Sequence, residues 1–481
     1  MTATALGRGD VNQQPRPGRG LRGPRRPSGL GVVLAAVGIP TFMVTLDNLV
    51  VTNALPVIKS ELNASLGDLA WFVNAYTLSF AALLLTAAAI GDRLGRRRMF
   101  LAGIALFTLA SAACALATDS WMLIASRAIQ GVGAAAVMPL SLTLLAGAVP
   151  EKQRSAAIGI WGGISGLGVA VGPVVGGAVV DGLNWQWIFW LNVPIGVVAV
   201  LLAARVLTES KGTAKKLDLL GLVLAAGGVL SIVWGVIHGA DDGWTSGGVL
   251  GTLIAGVILL AAFIAWERRT ATPMLPLRLF SVRSFSVVNV VSFTFAVGVF
   301  GSVFLLAQFF QVVQGYSPYQ SGLRTLPWTA APLVVAPIAG LIVDRVGART
   351  LITTGQVLLA TALGWIALIT SATTQYADLI GPFVLAGVGM GLTFAPGASV
   401  VMNSASDADR GVASGTNNTI REVGVAMGVA LLASVFASAG SYESPAKYAA
   451  GLVPAVWTGA AVVAVGAVIA LLLPGRERST V

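Results

Sequence analysis

Five ionisable side chains stand inside long apolar stretches of this 481-residue sequence: Asp47, Arg127, Arg324, Arg421 and Glu422. A charge removed from water is costly unless it is paired or hydrated, so each is a candidate functional group. Asp47 is the clearest, because apolar residues precede it for more than a helical turn. Removal from water penalises the ionised form of a carboxyl group, and we predict that Asp47 takes up and releases a proton. The alternative is an aspartate that only hydrogen-bonds a neighbouring helix.

The buried arginines keep their charge under all ordinary conditions. Arg127, with Gln130 and Gly131 one turn further along, is predicted to act as a fixed positive charge that influences a nearby carboxylate. The adjacent Arg421 and Glu422 allow two interpretations, in which Glu422 couples protons directly or the pair only neutralises itself; neighbouring residues of a helix need not face each other. Arg324 lies near the outer end of its apolar stretch, where a long side chain can reach the interface.

The composition excludes a soluble globular protein. Hydrophobic residues make up 56% of the chain and charged residues only 10%, whereas soluble domains carry about 25% charged residues. Cys114 is the only cysteine and His238 the only histidine. The chain therefore cannot form an internal disulfide or a cysteine–histidine metal cluster. We expect His238 to be solvated in an outer loop.

Fourteen stretches are long and apolar enough to cross a bilayer as helices. An even number of spans places both ends of the chain on one side. If that side is the cytoplasm, the outer loops carry only Lys59 and Lys447, and nearly all other Lys and Arg residues lie inside. This asymmetry follows the positive-inside rule and explains the net charge of +10 without a nucleic-acid partner. We predict a multi-pass protein of the cell (inner) membrane with cytoplasmic termini.

A repeated motif divides the chain into two halves. The pattern D-R-x-G-x-R follows the second and the tenth span, and its residues are Asp92, Arg93, Gly95, Arg96 and Arg97, and then Asp344, Arg345, Gly347 and Arg349. The glycine permits a tight turn, the aspartate can accept hydrogen bonds at a helix N-terminus, and the arginines suit the headgroup region. We interpret the motif as a gating loop; an orientation signal alone explains the arginines but not the matched aspartate and glycine.

The predicted fold is an all-α membrane protein with fourteen transmembrane helices, arranged as two six-helix halves and an inserted two-helix hairpin. Spans 7 and 8 form the hairpin. We predict a disordered basic cytoplasmic tail at 1–29, an N-terminal bundle at 30–207, the inserted pair at 208–270, a C-terminal bundle at 271–474 and a tail at 475–481. The first tail either fixes orientation or also lies on anionic lipid.

The fifth span carries glycines at helical spacing around a proline. Gly168, Gly172 and Gly176 share one helix face and allow another helix to approach closely, while Pro173 bends the helix. Together with Gly177 they form a G-P-x-x-G-G cluster. This pattern favours a helix that seals against a partner in one conformational state over one that only packs.

In combination, these motifs resemble the major facilitator superfamily, and within it the fourteen-spanner drug:proton antiporters. The resemblance rests on L-D-x-x-V-V-x-x-A-L-P in span one, the loop motif, R-x-x-Q-G-x-G in span four, G-P-x-x-G-G in span five and the stretch 185–196. It implies proton coupling by Asp47 and Arg127, gating by the loop motif and an antiporter role for Gly172 and Pro173. Several positions depart from the family pattern: Ala88, Gln186, Leu49 and Thr52.

The resulting prediction is a proton-coupled efflux antiporter that exports amphipathic drugs or antibiotics by alternating access. Candidate substrate-binding residues are Asn48, Trp71, Asn74 and Tyr76. No phosphate-binding loop occurs in the sequence, so we expect no ATP drive, no metal and no cofactor, and a functional monomer. The alternatives are a dedicated exporter of one self-made antibiotic or metabolite, a proton symporter for a small metabolite, and a scaffold or receptor. An enzyme is not expected.

Overall fold

The computed structural model describes residues 29–212, 218–239, 242–271, 273, 275, 277–405 and 410–475. The side chains at 151, 152 and 154–156 are outside this description. Both predicted tails lie almost wholly outside the described residues, and their expected behaviour stays a prediction.

Fifteen α-helices make up the described chain, and fourteen membrane spans result because α6 and α7 together form one. The first half contains α1 (Leu30–Leu62), α2 (Leu66–Leu94), α3 (Arg96–Ala115), α4 (Ser120–Ala148), α5 (Glu151–Gly182), α6 (Trp187–Trp190) and α7 (Asn192–Val206). Then follow α8 (Leu219–His238) and α9 (Gly247–Glu267), a 3-10 turn (Leu277–Ser281), α10 (Arg283–Val312), α11 (Pro318–Val346), α12 (Ala348–Ile369), α13 (Tyr376–Asn403), α14 (Arg410–Ala439) and α15 (Pro445–Ala470). The chain is therefore an all-α membrane protein with fourteen spans, as predicted.

Alternate helix ends define two faces of the bundle. We call the face where α1 begins, α2 meets α3 and α15 ends the terminal face, and the opposite one, with the α1–α2 and α10–α11 turns, the distal face. Side-chain caps fix several helix starts. Ser65 accepts from the Asp68 N–H, and the Asp68 carboxylate accepts from the Ser65 N–H; Ser317 and Gln320 form the same reciprocal cap at α11.

The two loop motifs end their helices in the same way. Gly95 ends α2 with φ 123°, and Gly347 ends α11 with φ 93°. Residues with a Cβ rarely adopt these left-handed backbone angles, so both turns favour glycine. The sequence repeat therefore corresponds to a repeated helix ending.

In the described chain, the halves meet mainly along three helix pairs. α5 packs along α11, α2 along α14, and α1 along α10, while α8 packs against both α2 and α14 and so contacts both halves. Helices α8 and α9 contact each other closely through Gly228 and Gly256, where an added Cβ would meet Leu260 and Ile232. The prediction that His238 is solvated in an outer loop is wrong in detail. His238 is half-buried, with its ring stacked on Trp234 at a centroid distance of 4.0 Å and Nδ1 donating to the Trp234 carbonyl at 3.0 Å.

Candidate functional site

Asp47 and Arg127 form a buried ion pair in the first half. Arg127 Nη1 donates to Asp47 Oδ2 at 2.6 Å, and the two residues are only 1% and 2% exposed. Asp47 lies in the middle of α1 and Arg127 in the second turn of α4, so the pair joins helices that are 80 positions apart in the chain. Such a pair requires further hydrogen bonds to offset the loss of water.

Two side-chain amides supply those bonds. Gln130 Nε2 donates to Asp47 Oδ1 at 2.9 Å, and Asn192 Nδ2 donates to the same oxygen at 2.8 Å. Both amides also donate to the hydroxyl of Ser111, at 3.3 and 3.0 Å, which in turn donates to the Phe189 carbonyl. Three N–H donors from α4 and α7 therefore converge on the Asp47 carboxylate, which matches its ionised form.

Arg127 is held in place independently of Asp47. Its Nε donates to the Phe72 carbonyl at 3.0 Å, and Nη1 also donates to Gln130 Oε1 at 2.6 Å. The guanidinium lies 4.2 Å from the centre of the Tyr76 ring, within cation–π range. These contacts with α2 and α4 hold the guanidinium in place whether or not Asp47 carries a charge.

Sequence reasoning did not select Asn192 or Ser111 as site residues. Asn192 lies 145 positions from Asp47, in the first turn of α7. The available signal was one buried polar side chain in the apolar stretch 185–196, which was used only to identify the family resemblance. Ser111 had no signal, because small hydroxyl residues are common in membrane helices.

Arg421 and Glu422 do face each other. Arg421 Nη2 lies 3.1 Å from Glu422 Oε1, and Glu422 is 5% exposed. Glu422 lies on α14 of the second half, which packs along α2, the helix that carries Tyr76. Its Oε2 receives no hydrogen bond from the described residues. The two side chains thus form an ion pair, and direct proton coupling by Glu422 stays a prediction.

Arg324 lies close to the distal face, as the sequence indicates. Its guanidinium stacks over the Tyr316 ring at 3.5 Å and donates to the Gln320 carbonyl at 3.1 Å. The aromatic ring, rather than a carboxylate, is its principal recorded contact.

The four candidate substrate-binding residues separate into two environments. Asn74 and Tyr76 are fully buried in α2, whereas Asn48 and Trp71 are only partly buried. Tyr76 belongs to the Arg127 site. Neither polar atom of the Asn74 amide has a hydrogen-bond partner among the described residues. Asn74 and Leu85 are eleven positions apart and therefore share a helix face, and Leu85 contacts α14 near Gly415. The Asn74 amide thus faces the other half of the molecule.

The first loop motif binds a segment that the sequence analysis did not consider. Asp92 accepts from Arg96 Nε at 2.6 Å, within the same loop. The free N–H groups at the start of α3 are satisfied instead by Glu209, which accepts from the Arg97 and Arg98 backbones at 3.0 and 3.2 Å. The arginine side chain of residue 97 donates to the Ala204 carbonyl. The segment after α7 therefore occupies the helix N-terminus that the motif aspartate was expected to serve.

The glycine-rich helix α5 has two working faces. A Cβ at Gly172 or Gly176 would lie 3.0 Å from Leu49 or 2.8 Å from the Val50 carbonyl, so this face, which also includes Gly168, packs on α1 of the same half. Pro173 and Gly177 face α11 of the other half instead, because consecutive residues differ by about 100° around a helix. The predicted close approach is present, and its partner is α1.

Several contacts close the distal face between the halves. Gln311 Nε2 of α10 donates to the Asn53 carbonyl of α1 at 2.8 Å, and within the first half Asn53 Nδ2 donates to the Pro173 carbonyl of α5 at 2.7 Å. The Asp181 carboxylate accepts from the Tyr319 N–H at the start of α11, at 3.2 Å. Lys59 lies over the Tyr442 ring at 4.9 Å. Burial raises the pKa of the Tyr442 hydroxyl, which therefore remains protonated and donates to Gln308. We call these contacts, with Gly177 and Gly322, the distal seal.

Toward the terminal face, α5 and α11 diverge. A Cβ at Gly166 would still reach Leu333 at 3.4 Å, but one at Gly159, Gly162 or Gly163 would meet nothing within 4 Å. On α11, Leu341 is 81% exposed. The structure is thus closed at the distal face and separated along this helix pair at the terminal face.

One cavity lies between the two halves and another lies within the second half. A small one of about 20 Å³ lies beneath the distal seal and includes Leu49, Thr52, Pro173 and Trp328. A larger one of about 110 Å³ is formed by α10, α13 and α14, with Phe295, Phe394, Asn417, Asn418 and Arg421 in its lining. The larger cavity combines aromatic surface with amides and one guanidinium.

Replacing Gly177 with Ala is expected to weaken the distal seal. The added Cβ would overlap the Pro318 carbonyl, and overpacking of this kind costs about 1–3 kcal/mol, or about a five- to 150-fold change in the ratio of closed to open states. The test uses a cysteine introduced at Thr52, in a background where the buried Cys114 is replaced. With Gly177→Ala, this cysteine should react faster with a polar maleimide added at the distal face than it does when Gly177 is retained. Gly182→Ala, with open space around it on the same helix, is the matched control. Equal reaction rates in the Gly177→Ala and Gly182→Ala variants would contradict the role of Gly177 in the distal seal.

Residues 37–429 match the sequence model of the Major Facilitator Superfamily. The chain is 38% identical over 409 residues to the multidrug resistance protein Stp of Mycobacterium tuberculosis (strain CDC 1551 / Oshkosh), which covers 85% of this chain and 76% of that protein. It is 34% identical over 472 residues to the tetracenomycin C resistance and export protein of Streptomyces glaucescens, covering 96% and 87% of the two chains.

A solved structure shares the architecture. A bacterial homolog of the human lysosomal transporter Spinster, in an inward-facing and unoccupied conformation, aligns with a TM-score of 0.67 and 16% identity over 92% of this chain and 96% of that chain. At this identity the likeness shows a common fold.

Proposed function

The chain belongs to the major facilitator superfamily, and on that premise we propose that it is a proton-coupled exporter of amphipathic drugs or antibiotics that works by alternating access. The observation that carries this proposal is the buried Asp47–Arg127 pair, and in this proposal the Asp47 carboxylate is the group that exchanges a proton. The multidrug resistance and antibiotic export named for its relatives support the direction and class of the cargo.

The proposed cycle couples the charge of Asp47 to the position of the halves. In the distal-open state a proton from the outer solution binds the Asp47 carboxylate, the charge is lost, and cargo is released. After the halves reorient, Asp47 returns the proton to the inner solution, and the ionised pair with Arg127 re-forms as cargo binds. Competition between proton and cargo for one protein state links the two fluxes. The contacts of Asp47 in this structure, all from N–H donors, suit the state after proton release.

We propose that the terminal face is cytoplasmic. The described arginines at 93 and 96–98 lie there, whereas the distal loops hold Lys59 and Lys447, and basic loops stay on the cytoplasmic side. In that orientation the structure corresponds to an inward-facing state, with the outer side closed by the distal seal. The proton gradient then supplies the drive, without a metal or cofactor, and one chain suffices because its own two halves form the pathway.

Cargo is proposed to bind between the halves. The larger cavity, formed by helices of the second half, offers aromatic rings beside amides and Arg421, and the amide of Asn74 in the first half has no partner among the described residues. A largely apolar surface with a few polar groups suits amphipathic aromatic compounds.

Ethidium transport tests the proposal. In proteoliposomes that contain the purified protein, we expect ethidium to accumulate inside when the interior is acidic, through protein molecules whose distal face points inward. Collapsing the pH gradient with nigericin should reduce the rate to that of protein-free vesicles. An ethidium transport rate that is unchanged after the gradient is collapsed would contradict proton coupling.

A dedicated exporter of a single antibiotic is the second candidate. The relative named for tetracenomycin C export favours it, and the relative named for multidrug resistance favours breadth. A panel of unrelated dyes and antibiotics, tested on cells with and without the protein, separates them: protection against many compounds supports breadth, and protection against one supports the dedicated role.

A further inference from the structure

We propose that Asn192 is a positioning residue that adjusts the proton affinity of Asp47 by turning its amide between the two protonation states; this inference rests on the proposed function. Asn192 is 1% exposed and is the first residue of α7. Its Nδ2 donates to Asp47 Oδ1 at 2.8 Å and to Ser111 Oγ at 3.0 Å.

The three donors to Asp47 differ in what they can do when the carboxylate takes up a proton. A carboxylate only accepts hydrogen bonds, whereas a protonated carboxyl group also donates one and needs an acceptor. Arg127 has no acceptor atom. The amides of Gln130 and Asn192 each carry one.

Gln130 is held by both ends of its amide. Its Oε1 accepts from Arg127 Nη1 at 2.6 Å, and its Nε2 donates to Asp47 and Ser111. Turning this amide would place Nε2 against the guanidinium and leave two donors facing each other. Gln130 is therefore restricted to the ionised form of Asp47.

Asn192 is free at its other end. Its Oδ1 is buried and accepts no hydrogen bond from the described residues, so the present orientation leaves a buried acceptor unsatisfied, which is costly. A half-turn of the amide brings Oδ1 against Asp47, where it accepts from the protonated carboxyl group. The vacant acceptor thus indicates an amide that can hydrogen-bond both forms of Asp47, as a donor to the ionised carboxylate and as an acceptor from the protonated carboxyl group.

Among the described side chains that hydrogen-bond Asp47, only Asn192 supplies such a group. The charged or titratable groups around the pair are Arg127 on α4, Tyr76 on α2, whose ring contacts the Arg127 guanidinium, and Cys114 on α3, which contacts Gln130. Against α1, α5 presents the glycine face, and α10 presents the amide of Gln311. Glu422 lies on α14, which packs along α2. Of these groups in the described chain, Arg127 is the one that hydrogen-bonds the Asp47 carboxylate, and it has no acceptor atom.

The inference predicts the sign of a pH shift. Asn192→Leu keeps the approximate volume but removes a donor from the ionised form and an acceptor from the protonated form. A hydrogen bond to an ionised group is roughly twice as strong as one between neutral groups, so the ionised form loses more. Asp47 should then hold its proton more tightly, and the midpoint of its titration should move to higher pH by about one unit.

Infrared difference spectroscopy measures this midpoint without transport. The carboxyl C=O band of protonated Asp47 is identified in the full-length protein in lipid nanodiscs by its loss in Asp47→Asn, and its pH titration is compared between the wild type and Asn192→Leu. Asn192→Ala, which adds no bulk, should shift in the same direction if the leucine variant folds poorly. Gln356→Leu removes another fully buried amide, in α12, and should leave the midpoint unchanged.

The outcomes separate this inference from the proposed function. An alkaline shift in the Asn192 variants alone supports the positioning role. An unchanged or acidic midpoint overturns it, even if Asp47→Asn abolishes coupled transport and the proposed function stands. If Asp47→Asn transports ethidium with undiminished proton coupling, the proposed function fails, while the titration still reports on Asn192.

Discussion

Replacing Asp47 with Asn is expected to reduce pH-driven export to the level of protein-free vesicles. Asparagine has nearly the same shape and can still accept a hydrogen bond from Arg127 at the position of Oδ2. Arg127 loses its counter-charge, but its guanidinium keeps the bonds to the Phe72 carbonyl and Gln130 Oε1 and its contact with the Tyr76 ring, so the helix packing around the site should persist at reduced stability. Asparagine cannot exchange a proton, and the energy of the gradient then has no route into the cycle. The measurement is ethidium transport at a fixed pH gradient, together with ethidium binding to the detergent-purified variant, which should be retained.

Asp119→Asn is the matched control for this change. Asp119 caps the start of α4, the helix that carries Arg127, and accepts from the Met122 N–H at 2.9 Å. Asparagine caps helices about as well as aspartate, so this variant makes the same chemical change without loss of stability and should transport normally. Coupled transport by Asp47→Asn, or its loss in Asp119→Asn as well, would contradict the role given to Asp47.

Replacing Arg127 with Leu is expected to destabilise the protein strongly. It leaves the Asp47 carboxylate buried without a counter-charge, and breaking a buried pair in this way typically costs about 3–5 kcal/mol. We expect a markedly lower unfolding temperature in detergent, measured by loss of the monodisperse peak after heating. The double variant Asp47→Asn, Arg127→Leu should recover much of that stability, because it contains no unpaired buried charge, yet it should remain uncoupled.

Arg324→Leu distinguishes this effect from the general loss of an arginine. Arg324 stacks on Tyr316 without a recorded carboxylate partner, and such stacking is worth about 0.5–2 kcal/mol. Its variant should therefore lose less stability than Arg127→Leu. If the two single variants melt alike, or if the double variant is no more stable than Arg127→Leu, the buried pair does not account for the effect.

The sequence was sufficient for the span count, the helical fold and the placement of the Asp47 and Arg127 side chains inside the membrane spans. Each of these depends on local patterns, such as the length of an apolar stretch or a charge within it. Asn192 and Glu209 could not be assigned in the same way. Asn192 reaches Asp47 only because α7 packs beside α1, and Glu209 reaches the start of α3 only because the segment after α7 folds back.

The glycine cluster shows the same limit more finely. Its spacing predicts a close helix contact, and the contact is present. Which neighbour each face meets depends on how α5 is rotated between α1 and α11, and no local pattern in its own sequence fixes that rotation. The roles of the loop motif, the antiporter motif and the domain boundaries stay predictions.

The two faces of α5 should divide random mutations into two phenotypes. The face toward α1 is internal to one half, so bulky replacements at Gly168, Gly172 or Gly176 harm every stage of the cycle and should show as poor expression. In the proposed cycle the contact of α5 with α11 separates and re-forms once per turnover, so replacements at Gly177 should give well-expressed carriers that leak or stall. Protein expression level plotted against transport rate for saturation libraries would therefore show which face of α5 meets α1 and which meets α11.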